Sequence, residues 1–600
     1  MDIGPPPVAA DAVLGIARSV TGRRWVRRDG DARLGLAIAQ RADLPELVGR
    51  LLAARGIGLE AVQDFLEPTL RALLPDPSVL RDMDAAASRL ASAVREGETV
   101  AVFGDYDVDG ACASALMVRV LRQLGCDVSH YVPHRLTEGY GPNAPAMREL
   151  CARGATLIVC VDCGIAAHDA LEAARGQADI IVLDHHKAEG PVPRVAAAVN
   201  PNRLDCESGL RQLCAGAVTF MAAVALHRVL RREGFFQRRP EPPLMDLLDL
   251  VALATVCDVM PLTGVNRALV AQGLKVMAKR QHAGVAALLE VGLVRDLPSA
   301  HSLGFVLGPR INAGGRIDEP DLGLRLLLCD DPVEARAMAE RLDAVNRRRQ
   351  EVEAEVLGAA FAQAEAQHAA GHAVLLVSGD GWHPGVVGIV AGRVKEKFNR
   401  PACVAGVADG LAKGSGRSVP GIDLGGAVIA ARQSGLLETG GGHAMAAGFS
   451  LRVERLTELH AFLDDRLAPA GGLPGAADLV VDGTVLVPAA TAALAQQVER
   501  LSPFGAGNEE PVFAIPRARV VRADRVGKEG NTIRAFLEGE GGGRLKSICF
   551  RAKDGPLAEA LLARTGAPMH LCGQLRAERW NDEVSACLHV VDAAPVPPGT

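Results

Sequence analysis

Between residues 98 and 200 the chain repeats one pattern: short apolar segments rich in β-branched residues, set apart by helical stretches. "TVAVF" (Thr99–Phe103), "DVSHYV" (Asp127–Val132), "ATLIVCV" (Ala155–Val161) and "ADIIVL" (Ala178–Leu183) read as strands. "GACASALMVRVLRQLG", "APAMRELCARG" and "AAHDALEAARG" carry helical spacing between them. Strands alternating with helices require a parallel sheet covered on both faces, because each crossover returns the chain to the same edge. In such sheets ligands lie beyond the carboxyl ends of the strands.

Those ends are acidic here. "VFGDYDVDG" places Asp105, Asp107 and Asp109 after the first strand, "VCVDCG" places Asp162 after the third, and "VLDHHK" places Asp184, His185 and His186 after the fourth. "ATVCDVM" adds Asp258 at the end of an apolar helix. One aspartate after a strand is ordinarily a helix cap or turn former, and a lone histidine is more often structural than a ligand. Four such sites, with a three-aspartate loop and a histidine pair among them, point to a shared purpose. Converged aspartates repel one another and resist ionising unless cations sit among them. Carboxylates with one or two imidazoles suit Mn²⁺ or Mg²⁺, and imidazole tilts the choice towards Mn²⁺. Two such ions, roughly 3.5–4 Å apart, clamp the attacking and leaving oxygens of a phosphoryl displacement. "CVDC" (Cys160–Cys163) invites a zinc reading, but no second CxxC or CxxH stands at a suitable distance, so these cysteines are expected to pack.

Six hundred residues exceed a single core and imply on the order of three to five domains. The pattern divides them into an N-terminal helical region (1–80), the α/β domain with the acidic loops (81–265) and a helical connector (266–370). The connector ends in an unbroken run of helix formers from about Asp331 to Ala370, expected to be one long interdomain helix. A second, Gly-rich α/β domain (371–468) and a C-terminal stretch of short alternating strands (469–600) follow, the latter expected to close as an OB-like barrel. The fold class is therefore α/β multidomain.

The net charge of -6 argues against coating nucleic acid by bulk charge. Thirteen cysteines lack regular spacing, and "MDIGPPPVAADAV" lacks both a basic start and a long apolar core. A soluble cytoplasmic protein with reduced thiols and no membrane contact is expected.

With these motifs assembled, the chain resembles the DHH phosphoesterase superfamily, named for the tripeptide Asp184-His185-His186. Within it, the fit is close to a bacterial family of single-strand-specific 5′–3′ exonucleases. "VFGDYDVDG", "VDCG", "VLDHH", "ATVCDVMPL", "GPRINAGGRID" (Gly308–Asp318), "SGRS" (Ser415–Ser418) and "GGHAMAAGF" (Gly441–Phe449) look like that family's motifs and occur in its order. The resemblance covers about residues 80 to 590.

It implies two divalent ions, Mn²⁺ or Mg²⁺, with Asp107 and Asp109 serving one each and Asp162 bridging them. His185 and Asp258 would complete one sphere, and Asp105 would act as a ligand or stand behind one. His186 would face the phosphate, its tautomer fixed by Asp184. Arg135 resembles a phosphate contact and Tyr140 a base-stacking platform. Arg316, Ser415 and Arg417 look like a phosphate-binding set for the 5′ end, with His443 donating nearby; Trp580 is a candidate platform in the barrel. The expected activity is two-metal hydrolysis of single-stranded DNA from the 5′ end, releasing mononucleotides in DNA repair and recombination. Single-strand-binding protein and a RecQ-type helicase enter as partners by resemblance alone, as does a monomeric state. The alternative is a DHH phosphodiesterase for short oligoribonucleotides or cyclic dinucleotides, whose members usually end after the second α/β domain. A manganese pyrophosphatase and a non-catalytic binding module rank below it.

Overall fold

The computed structural model describes residues 12–135, 137–188, 190–468, 477–527, 530–552, 555–563, 566–581 and 583–596. They fall into two compact units. One comprises Gln63–Arg349 together with Ser502–Glu509; the other holds the chain up to Val62, Gln350–Leu501 and the chain from Glu510 onward.

The first unit is built on five parallel strands, β1 (Thr99–Phe103), β2 (Asp127–Tyr131), β3 (Leu157–Val161), β4 (Asp179–Leu183) and β5 (Ala197–Val199), in the order β2-β1-β3-β4-β5. Side chains alternate across the sheet, as the pleat requires. Val100 and Val102 join one core, while Ala101 and Phe103 join the other with Met147 and Leu150. Both faces are thus covered, and every residue of β3 is buried. The strand β5 goes unread in the sequence: three residues of "AAV" carry too little β-branching to signal a strand, and it forms because Ile181–Leu183 offer it an open edge.

Helices α1 (Val108–Gln123), α2 (Ala215–Arg232), α3 (Leu248–Cys257) and α4 (Gly264–Met277) pack in this unit. The long helix α5 (Pro332–Ala369) runs 38 residues, as its composition leads one to expect, and Asp331 caps it by accepting from the Val333 and Glu334 amides.

In the second unit β6 (Leu375–Asp380), β7 (Ala402–Ala408), β8 (Leu411–Arg417), β9 (Thr439–His443) and β10 (Ala446–Arg452) form a mixed sheet ordered β9-β10-β8-β7-β6, parallel only between β6 and β7. Further along, β11 (Val512–Val526), β12 (Thr532–Glu538), β13 (Arg544–Cys549), β14 (Met569–Trp580) and β15 (Glu583–Pro595) pair as β11-β12-β13-β15-β14. The pairing β14–β11, Phe513 opposite Gly573, closes the ring. A closed five-stranded ring is the OB arrangement. The side chain of Trp580 lies outside the described residues.

Among the described residues before the first unit's sheet, short helices (Ala32–Arg41, Glu46–Ala54, Val62–Leu66 and Leu70–Leu73) accompany one strand, Trp25–Arg27, paired in parallel with Leu479–Val481. Trp25 is fully buried and its indole Nε1 donates to the buried Asp592 at 3.0 Å. Burying an aromatic of this size contributes about 1.5–3 kcal/mol, which anchors a three-residue strand too short to stand alone.

Candidate metal centre

The acidic loops meet at the carboxyl edge of the parallel sheet because each follows a strand directly. Asp105 stands two residues past β1, and Asp107 caps α1 through a bond from the Gly110 amide (2.9 Å). Asp109, in the first turn of α1, is buried and accepts from the Ala215 and Gly216 amides at 2.7 and 2.8 Å. Those amides open α2, where an N-terminus favours negative charge. Gly216 is required there: a Cβ would lie 2.6 Å from Ala254 Cβ and 3.2 Å from Asp109 Oδ1. Asp162 follows β3 at φ 60°, a left-handed backbone that a non-glycine residue seldom adopts. Asp258 caps the end of α3.

His185 joins these groups. Its Nε2 lies 3.1 Å from Asp162 Oδ1, 3.5 Å from Asp258 Oδ2 and 3.6 Å from Asp109 Oδ2. Ligand atoms fall within 4.8 Å of one another in the trios Asp105–Asp107–Asp162, Asp109–His185–Asp258 and Asp162–His185–His186. Asp162 and His185 each belong to two trios, so the groups form one continuous patch. All five expected metal ligands are in it.

The patch is electrostatically unfinished as protein alone. Asp105 Oδ1, Asp162 Oδ1 and Asp258 Oδ2 are buried and accept no hydrogen bond. Burial, then the neighbouring Asp107, pushes Asp105 and Asp109 up to about 7. Burial, then Asp109, pushes Asp258 up to about 8 and Asp162 well above the usual carboxylate range. Burial lowers His185 to about 4, leaving a neutral imidazole with a lone pair for a cation. Buried oxygen donors that repel one another, together with a neutral imidazole, fit divalent cations such as Mn²⁺.

Asp184 stands behind the patch. Burial raises it, but the His186 ring and the His186 and Ile165 amides outweigh burial and hold it below the ordinary value. Its Oδ1 lies 2.8 Å from His186 Nδ1. Burial lowers His186, yet the bond to Asp184 carries it above its ordinary value. The Tyr140 hydroxyl donates to Asp162 O at 3.0 Å and lies 3.2 Å from the His186 ring, and the rings of Tyr140 and His186 meet edge-on.

Arg135 lies over Tyr106, its guanidinium carbon 5.1 Å from the ring centroid. Burial, then the like charges of Arg135 and Arg349, lowers Arg316 to about 10, with Tyr106 and Asp107 opposing. Arg135 and Arg316 therefore stand beside the acidic patch. Ser415, Arg417 and His443 belong to the other unit. Arg417 donates to Ser415 Oγ (3.1 Å), and Ala446 pairs with both Arg417 and His443, so these share one row of the sheet.

Sequence reading missed the supports. Asn200 Nδ2 donates to His186 O (2.9 Å) and Asn202 Nδ2 to His185 O, holding the histidine loop from beyond β5. The Asn-Pro turn signal of "NPN" was the available clue. Tyr106 and Arg349 carry no such signal.

Family models match three stretches: the DHH family N-terminal domain over residues 99–255, the DHHA1 domain over 370–468 and the RecJ OB domain over 481–592. The single-stranded-DNA-specific exonuclease RecJ of Salmonella typhimurium is 38% identical over 87% of this chain and 91% of its own. The crystal structure of RecJ from Thermus thermophilus in complex with Mn²⁺ superposes with a TM-score of 0.78 at 28% identity, over 95% of this chain and 79% of that one. The Mg²⁺ complex gives 0.73 at 27% identity, over 96% and 79%.

Proposed function

Because the chain belongs to the RecJ family of DHH exonucleases, we propose that the patch around Asp162 and His185 is its hydrolytic centre. The protein is a metal-dependent exonuclease of single-stranded DNA. The observation that carries the site assignment is the pair of trios Asp105–Asp107–Asp162 and Asp109–His185–Asp258, joined through the 3.1 Å approach of His185 to Asp162. Asp107, Asp109, Asp162, His185 and Asp258 would hold two divalent ions. When bound, such ions supply Lewis acidity for activating water and for the charge that develops on the phosphoryl oxygens.

The chain's own groups do the rest. Asp184 accepts a hydrogen bond from His186 Nδ1 and favours the protonated ring, whose Nε2–H can then donate towards a phosphoryl oxygen. Arg135 and Arg316 offer guanidinium forks for the phosphates beside it. Tyr140 couples the backbone of Asp162 to the His186 ring, which ties the metal side of the centre to its phosphate side. Ser415, Arg417 and His443 are proposed to receive the 5′ end, and the ring β11–β15 to hold the incoming strand. Single-strand-binding protein, a RecQ-type helicase, a monomeric state and the cytosol rest on the family resemblance; among the described residues no helix is long and apolar enough to cross a membrane.

Digestion of 5′-labelled single-stranded DNA, matching duplex and a cyclic dinucleotide with Mn²⁺ tests the assignment. Mononucleotide release from the single strand alone is the expected result; preference for the dinucleotide would overturn the polymer reading. Asp184→Asn should lower kcat about 10–100-fold with little change in KM, since the charge that holds His186 protonated is lost while the metal ligands remain.

A further inference from the structure

Asp258 closes α3 on a turn that needs support. The Val259 amide donates to Val256 O (3.2 Å) and the Met260 amide to Thr255 O (3.1 Å), the paired bonds of a Schellman cap. The left-handed position of such a cap favours glycine, yet here it is filled by Val259 at φ 56°. The Val259 side chain is 69% exposed, so its own packing does little to hold it. Strain of this kind beside functional groups persists where the surroundings over-determine the backbone.

Those surroundings come from far along the chain. Ser502–Glu509 belongs to the same compact unit as the metal patch, although the residues on either side of it do not. Ala506 O accepts the Leu262 amide at 2.7 Å. A Cβ on Gly505 would lie 2.7 Å from Leu262 Cδ1, and one on Gly507 would lie 3.1 Å from Pro261 Cβ, so the segment fits closely against the residues that follow Asp258. It holds its own shape: Gly505 and Asn508 exchange amide–carbonyl bonds of 3.0 and 3.1 Å, and Asn508 Nδ2 donates to Pro503 O at 2.9 Å. Arg267 fastens it. This fully buried guanidinium donates to Ser502 O (2.6 Å), Pro503 O (3.4 Å) and Phe65 O (2.8 Å), and stands 3.8 Å over the Phe65 ring. A charge so placed has no water to fall back on, which fixes the segment to α4.

We infer that the Pro503–Asn508 tongue is a positioning element for the metal centre: by gripping Pro261 and Leu262 it keeps Val259 in its left-handed turn and sets where the Asp258 carboxylate stands. The inference rests on the reading of Asp258 as a metal ligand. It makes a segment just ahead of the DNA-holding ring a determinant of cation affinity, although none of its residues reaches the cluster.

Mn²⁺ binding by the full chain, followed by calorimetry and electron paramagnetic resonance without DNA, tests it. Asp258→Asn should lose one of the bound ions; unchanged binding in that variant would refute the ligand reading itself. Gly505→Ala presses on Leu262 and is expected to weaken Mn²⁺ binding about 10-fold with the circular dichroism spectrum preserved. Val259→Gly, which holds the turn unaided, should restore the Gly505→Ala protein to within about 3-fold of the parent, a coupling that a purely structural role of the tongue would not produce. Should Gly505→Ala fail to fold, Asn508→Ala, which removes the Nδ2 bond to Pro503 O that shapes the tongue, is the second variant with the same expectations. Parental affinity in the folded alanine variant, or no recovery on adding Val259→Gly, would overturn the inference.

Discussion

Asp162→Ala is expected to cut kcat by at least about 10³-fold while single-stranded DNA still binds in part. The reason lies in its position. Asp162 is the residue shared between the Asp105–Asp107 side of the patch and the His185 side, so its loss would take an oxygen donor from both. It is buried, its Oδ1 accepts no hydrogen bond, and its backbone is left-handed. A group serving only the fold would be hydrogen-bonded. The DNA contacts proposed for Arg135, Arg316 and the OB ring do not pass through it, which is why binding should outlast hydrolysis. Single-turnover cleavage beside filter binding separates the two effects. Cleavage within about 10-fold of the parent would remove Asp162 from the bridge.

The second large effect is on stability. Without divalent cations the protein should lose stability as pH rises from about 6.5 to about 9, with Tm falling by about 5 °C or more. Asp105 and Asp109 at about 7, Asp258 at about 8 and the raised Asp162 all bind protons more tightly folded than unfolded. Their contribution is complete below the ordinary carboxylate range and is lost as pH climbs through 7 to 8. His186, also raised, acts in the same direction. His185, lowered to about 4, opposes this only below its ordinary value, outside the window. Millimolar Mn²⁺ should abolish the fall by compensating the carboxylates as they ionise. Calorimetric unfolding of chelator-treated and Mn²⁺-loaded protein checks both arms; a Tm that rises with pH in chelator would contradict the repulsion among these acids.

Much of the centre was legible in the sequence because strand ends mark themselves. Asp105, Asp162 and Asp184 follow apolar runs whose alternation with helices fixes a parallel sheet, and a parallel sheet puts such ends on one edge. What joins distant residues left no local trace. The amides of Ala215 and Gly216 that hold Asp109 are a meeting of segments far apart in the chain. The same applies to Trp25–Arg27: two three-residue strands paired in parallel have no turn between them to announce the register. The tongue at Pro503–Asn508 reads locally as a Gly-Asn turn, and only the hydrogen bonds from the buried Arg267 on α4 reveal what it fastens.

Residues as far apart in the chain as Asp107 and Asp258 must share a pair of cations for any of this chemistry to occur. Anomalous scattering from crystals grown with manganese measures that directly. Two ions are expected at the sheet edge, both touching Asp162, with Asp109, His185 and Asp258 around one of them; manganese bound elsewhere, with these side chains turned to separate places, would contradict it.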